Sequence, residues 1–261
     1  MNRILTIVTI VLVAFASAAL AEEPAAPSAD EIAHRAADIA GGNAWEKVRF
    51  ISFTFNVIRE GKVVASFPQA WDRATDTYRV NGRMPDGIAF SATINLKTKQ
   101  GQGTYNGAVI TDNAVFQKVF GVAYGHFLND AGFLLMPLRM FEPGVHRTYD
   151  GTRKDSCDRV WDLIKLTFDD MVGLPAHDTY WMWVGRDTGL IEEWDFKTPA
   201  VGADQPPMRI RLSDYGRFGD LLLSARRTIA GPGQAITFTD IKVLPEVPKG
   251  AMGAGPSAGA P

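Results

Sequence analysis

Ile51-Ser52-Phe53-Thr54-Phe55-Asn56-Val57 decides how this chain is built: large apolar side chains alternate with small polar ones for seven residues. A period of two places Ile51, Phe53, Phe55 and Val57 on one face and Ser52, Thr54 and Asn56 on the other, which is the pattern of a strand with one buried side. Just upstream the period is different. Ser28-Ala29-Asp30-Glu31 has the form of a capping box, Ile32, Ala36, Ile39 and Ala40 follow at helical spacing, and Gly41-Gly42 supplies the stop. One amphipathic helix therefore opens the folded part.

Downstream, short apolar runs separated by turn residues predict strands near 62–72, 76–83, 87–96 and 101–110, with breaks at Arg59-Glu60-Gly61, Asn81-Gly82 and Gln100-Gly101. Connections this short make antiparallel neighbours, because parallel crossovers need a dozen residues or more. Asp112 is a fitting N-cap for a second helix over 114–128. Residues 131–141, AGFLLMPLRMF, form the most apolar stretch outside the N-terminal run, and Pro137 speaks against a continuous helix through it. Strands resume near 145–154, 158–168, 178–185, 189–197, 207–214, 220–230 and 234–243, with a hairpin turn at Arg186-Asp187-Thr188-Gly189. The expectation is a mainly β chain, β-rich α+β, of eleven or twelve strands. Its antiparallel curved sheet would form an incomplete β-barrel with a helical lid or plug.

The composition agrees with a large core: 46% of the 261 residues are hydrophobic and 21% charged. With 27 Lys and Arg against 29 Asp and Glu there is no basic footprint for a nucleic-acid partner. A single cysteine, Cys157, rules out an internal disulfide framework and a multi-cysteine zinc site. Residues 1–21, MNRILTIVTIVLVAFASAALA, combine Arg3, a twelve-residue mostly apolar run and an Ala-Leu-Ala site, so a secretory signal peptide cleaved after Ala21 is expected. The run is too short for a membrane span, and the mature protein is expected to lack one and to be periplasmic or secreted. Residues 22–28 read as a linker, 29–244 as one half-barrel domain and 245–261 as a disordered Pro/Gly/Ala-rich tail.

Chemistry is sparse. Residues 167–180 hold Asp169, Asp170, His177 and Asp178, and a loop there would let Asp169, Asp170 and His177 act as metal ligands or let Asp178 orient His177 as a general base. The other reading is turn chemistry and a structural hydrogen bond. His34, His126 and His146 have no metal-motif spacing and read as structural or exposed, and no nucleotide, dinucleotide or serine-esterase motif occurs. Cys157 stands among Asp155, Ser156 and Asp158, an unfavourable setting for a thiolate nucleophile. No cofactor is called for. The apolar surplus around Pro137, with Met136 and Met140, would suit either a cover over an apolar ligand or a plug in a closed core. Trp181 and Trp183 share one strand face and read as packing.

A chain with a leading helix, an antiparallel meander and a helical plug midway resembles the LolA/LolB-like superfamily of periplasmic lipoprotein carriers. Locally, Ala44-Trp45 after Gly41-Gly42, LLMPLRMFEPGV (134–145) and VGLPAHDTYWMWVGRDTGLIEEWDF (172–196) are similar to an uncharacterised family of exported bacterial proteins of the same presumed fold. The resemblance implies a concave wall containing Phe53, Phe55 and Trp71, a lid containing Phe133, Met136 and Met140, and a lipid or other apolar small molecule between them. It also implies an envelope protein as a candidate partner. The leading reading is thus a binding or carrier protein. A metal-dependent or acid/base hydrolase using residues 169–178, and an envelope sensor or scaffold, are the alternatives.

Overall fold

The computed structural model describes residues 27–155, 157–169, 178–199, 204–229 and 233–253. Helix α1 (Ala29–Ala40) starts at the expected capping box: the Ser28 hydroxyl accepts from the Glu31 N–H and the Glu31 carboxylate accepts from the Ser28 N–H. A short α2 (Ala44–Lys47) follows. The strands are β1 (Phe50–Arg59), β2 (Lys62–Asp72), β3 (Thr77–Arg83), β4 (Ala89–Asn95), β5 (Gly101–Tyr105) and β6 (Ala108–Val109). After the helical excursion come β7 (Val145–Lys154), β8 (Val160–Phe168), β9 (Thr179–Gly185), β10 (Ile191–Lys197), β11 (Met208–Phe218), β12 (Leu221–Ile229) and β13 (Gln234–Leu244).

The thirteen strands of the described residues belong to one antiparallel sheet ordered β6-β5-β4-β3-β2-β1-β13-β12-β11-β10-β9-β8-β7. The first and last strands therefore pair at its centre, Phe55 opposite Phe238. The two edges, β6 and β7, are joined in sequence only through the helical excursion. A curved sheet with unpaired edges does not close into a barrel, and the connection between those edges must cross its concave face. That crossing consists of α3 (Asn113–His126), a widened π-helical turn (Phe127–Ala131) and α4 (Gly132–Arg139).

Alternation sorts the side chains as the sequence requires. Ile51, Phe53 and Phe55 are buried in the core between sheet and helices, with Ile164, Tyr180, Trp194 and Phe238. The opposite face of β8 and β9 carries Trp161, Trp181 and Trp183, and a cation covers each ring: Arg159 at 4.5 Å, Lys165 at 5.9 Å and Arg209 at 4.3 Å. Arg159 is held by Glu192 and Arg209 by Asp195, so this ladder is an internally paired surface.

Three local expectations need correction. Asn81-Gly82 is not a turn: β3 runs through it, and Gly82 is needed because a Cβ there would collide with the Phe67 ring across the sheet. Residues 101–110 are two strands, since Asn106 (φ 51°) and Gly107 (φ 78°) make a tight hairpin, which raises the strand count to thirteen. A helix does pass through Pro137, for a reason that lies in the site itself.

Candidate functional site

Proline removes the N–H that would bond the carbonyl four residues earlier, here that of Phe133. In this protein Arg227, on β12, donates from Nη2 to that carbonyl at 2.6 Å, so the helix continues without an orphaned acceptor. Arg227 is 1% exposed, and its Nη1 donates to the Ser224 hydroxyl and carbonyl at 2.6 and 3.0 Å. The Trp194 and Phe238 rings each lie 5.3 Å from its guanidinium. No carboxylate among the described residues pairs with it, and burial pushes its pKa down to about 10. At the other end of α4, Arg147 donates from Nη1 to the Met140 carbonyl at 2.5 Å. Two arginines from opposite sides thus pin α4 to the sheet.

The six residues that the carrier resemblance singled out meet in one apolar mass beneath this helix. Phe53 and Phe55 pack edge-on against Phe238 at 5.7 and 5.6 Å, Trp71 against Phe127 at 5.0 Å, and Phe133 against Trp194 at 5.4 Å. Met136 and Met140 are buried in the same cluster. Wall and helix are in contact, so the centre of the concave face is filled core rather than cavity.

Open space lies to one side, under α3. A groove of about 710 Å³ runs between the β2 residues Val63–Phe67, the turn after β3 and the α3 residues Val122 and His126. Its size is within the roughly 300–1,000 Å³ of small-molecule sites. Val63 and Val64 on its rim are 59% and 54% exposed, unusual for valines on a strand. The groove exists because α3 is apolar on most sides yet buries only Val119 and Ala123.

One end of the groove is polar and connected inward. The His126 ring lies 4.2 Å from that of Phe67, and its Nδ1 is 2.8 Å from Oδ2 of Asp130, one helical turn on. Asp130 is 1% exposed and also accepts from Asn129 Nδ2 at 2.9 Å and from Gln69 Nε2. Tyr78 donates to Gln69 Oε1 at 2.5 Å, and burial, reinforced by the Asp130 charge, pushes the Tyr78 phenol well above its usual range. The π-helical turn that carries Asp130 is a feature often found at functional sites.

The acidic loop is divided by the structure. Asp169 pairs with His146, Nε2 to Oδ1 at 2.7 Å, at the exposed end of β7. Asp178 is buried beside Tyr180, and burial raises its carboxyl above the usual range. Asp170 and His177 lie outside the described residues. Among the described residues no three potential ligands converge on a metal position, and no helix is long and apolar enough to cross a membrane. Sequence reasoning missed the groove and the His126–Asp130 pair. The i, i+4 spacing was the available signal, but it acquires meaning only once the helix is known to continue to Asp130.

A leading helix, an antiparallel sheet that does not close and helices crossing its concave face from edge to edge are the features implied by the carrier resemblance. The sheet and helices of the described residues have that arrangement. Among solved structures, the chain is similar to the LolA superfamily protein NE2245 from Nitrosomonas europaea, at 11% identity and a TM-score of 0.48, with 86% of this chain and 96% of that one covered. It is also similar to a Vibrio parahaemolyticus domain described as an outer membrane lipoprotein-sorting protein, at 9% identity and a TM-score of 0.41, covering 85% and 97% of the two chains. Both likenesses concern the fold. No family model matches the chain, and comparison with curated proteins gives no match.

Proposed function

We propose that this chain is an exported periplasmic binding or carrier protein for a lipid or other apolar molecule, which it takes up in the groove between β2, β3 and α3. The observation that carries this reading is the groove itself: an open, mostly apolar depression with exposed valines on its rim, next to a helix that is poorly buried for its composition. Each methylene removed from water there is worth about 0.8 kcal/mol, so eight offer roughly 6 kcal/mol before ordering costs. Phe53, Phe55, Trp71, Phe133, Met136 and Met140 form the inner part of the same site, which a longer ligand reaches only by displacing α4. An envelope protein partner would deliver or receive the ligand at the groove's open side.

A fluorescent fatty acid titrated into the purified protein tests the reading, together with native mass spectrometry of protein purified from its own host. Saturable binding that Val64→Asp and Val122→Asp both weaken is expected. Absence of binding, or binding indifferent to both substitutions, would reject the groove as the site.

A further inference from the structure

The groove is mostly apolar, with His126 and Arg83 as its ring-nitrogen and guanidinium donors. Asp130 as a carboxylate can only accept, so the proton of the His126–Asp130 hydrogen bond sits on Nδ1. Nε2 is therefore the ring nitrogen left for the groove. It has no hydrogen-bond partner among the described residues and is not one of the buried unpartnered atoms. Arg83 also lines the groove; it is exposed and uses Nη1 to donate to the Gly87 carbonyl at 2.9 Å, leaving its remaining N–H groups for a ligand. Among the described residues no Asp or Glu lines the groove. The acid of the adjoining turn, Asp86, is held by Lys118 Nζ at 3.1 Å and the Tyr105 hydroxyl at 3.3 Å.

We infer that the groove selects an amphiphile with a carboxylate head, a tail lying along Val63, Val64, Phe67 and Val122 and the head meeting His126 Nε2 and Arg83. This rests on the carrier reading above and adds the chemistry of the ligand. The hydrogen bond at Nε2 needs one proton shared between ring and head, which an ionised head receives from the imidazole as an imidazolium–carboxylate pair. The guanidinium offers a planar fork that matches two carboxylate oxygens.

The experiment is calorimetric titration of the purified protein with three amphiphiles sharing a twelve-carbon tail: dodecanoate, neutral dodecyl maltoside and dodecyltrimethylammonium, each below its micelle concentration. Dodecanoate should bind at least about tenfold more tightly than the other two. His126→Gln keeps an amide donor for Asp130 and should reduce that preference to below about threefold, while Arg83→Gln should weaken it by a similar factor. Should the His126 variant fail to fold, the exposed Arg83 substitution decides alone. Equal binding of all three amphiphiles overturns the head-group assignment and leaves the carrier reading standing. A preference that survives both substitutions also overturns the assignment, and no binding of any amphiphile overturns both.

Discussion

The two helical segments on the concave face lie a few residues apart in sequence and are nearly equally apolar, yet they meet the sheet in opposite ways. Helix α4 buries almost every side chain, Phe133, Leu134, Leu135, Met136 and Leu138 among them, and its backbone gap, the carbonyl freed by Pro137, is closed by Arg227. Helix α3 buries two residues and leaves a groove on one flank, with a histidine nitrogen open to it. Apolar composition therefore does not separate core from site here. What separates them is whether the apolar surface of the helix has found packing partners.

The sharpest way to break the contrast is to place one charge in each region. Phe53→Asp buries an unpaired carboxylate against Phe238 and should cost more than about 4 kcal/mol, enough to unfold a marginal domain. Val64→Asp, on the groove rim, should change stability by no more than about 0.5 kcal/mol while weakening ligand binding. Met136→Asp belongs with the first: at 2% exposure it disrupts the fold, where a loosely closed lid would tolerate it. Urea midpoints of the three variants check the order, and a folded Met136→Asp protein would show that α4 is not core.

A smaller effect tests how α4 is closed. Arg227→Met leaves the Phe133 carbonyl and the Ser224 hydroxyl without their charged donor and should cost about 1–3 kcal/mol. In a Pro137→Ala background the helix can supply its own N–H to Phe133, so the same substitution should cost less by about 0.5 kcal/mol or more. A double-mutant cycle in urea measures the coupling. Strict additivity would mean that Arg227 serves packing alone.

How much of this was legible beforehand depends on the range of the interaction. The capping box at Ser28, the face shared by Ile51, Phe53 and Phe55, and the Gly189 hairpin are set by residues within four positions of one another, and periodicity reveals them. Pro137 signals a broken helix in the sequence because its remedy lies 90 residues downstream in Arg227, an arginine no local pattern distinguishes. Gly82 looked like a turn because its true constraint, the Phe67 ring, sits on the next strand. The groove left no sequence signal, since an absence of packing partners is a property of the assembled fold. Of the acidic loop, the sequence could show that carboxylates and imidazoles were close along the chain, but not that Asp169 would turn to His146 and Asp178 to Tyr180.

The same distinction between partnered and unpartnered groups separates two buried carboxylates, with a modest effect on stability against pH. Asp72 accepts from Arg49 at 3.1 and 3.2 Å and from the Thr75 hydroxyl, and the Arg49 hydrogen bond holds its carboxyl below the usual range. Its contribution is present above the unfolded value of about 3.9 and is lost as pH falls through the lower folded value. Asp178 has the opposite sign: burial raises its carboxyl, and one oxygen has no hydrogen-bond partner. Its contribution is complete below about pH 3.9 and is lost as pH rises through the raised folded value. Asp72→Asn should therefore lower Tm at neutral pH by an amount that shrinks towards acid. Asp178→Asn should raise Tm at neutral pH, where the wild type must hold a buried charge, and the gain should fade as the wild-type carboxyl takes up its proton. Asparagine keeps an oxygen to accept from Tyr180, so the comparison removes charge without removing the acceptor. Melting curves of both variants from about pH 3.5 to 7 give the two slopes. An Asp178→Asn curve parallel to the wild type would show that the carboxylate is solvated, and that β9 begins at the surface rather than in the core.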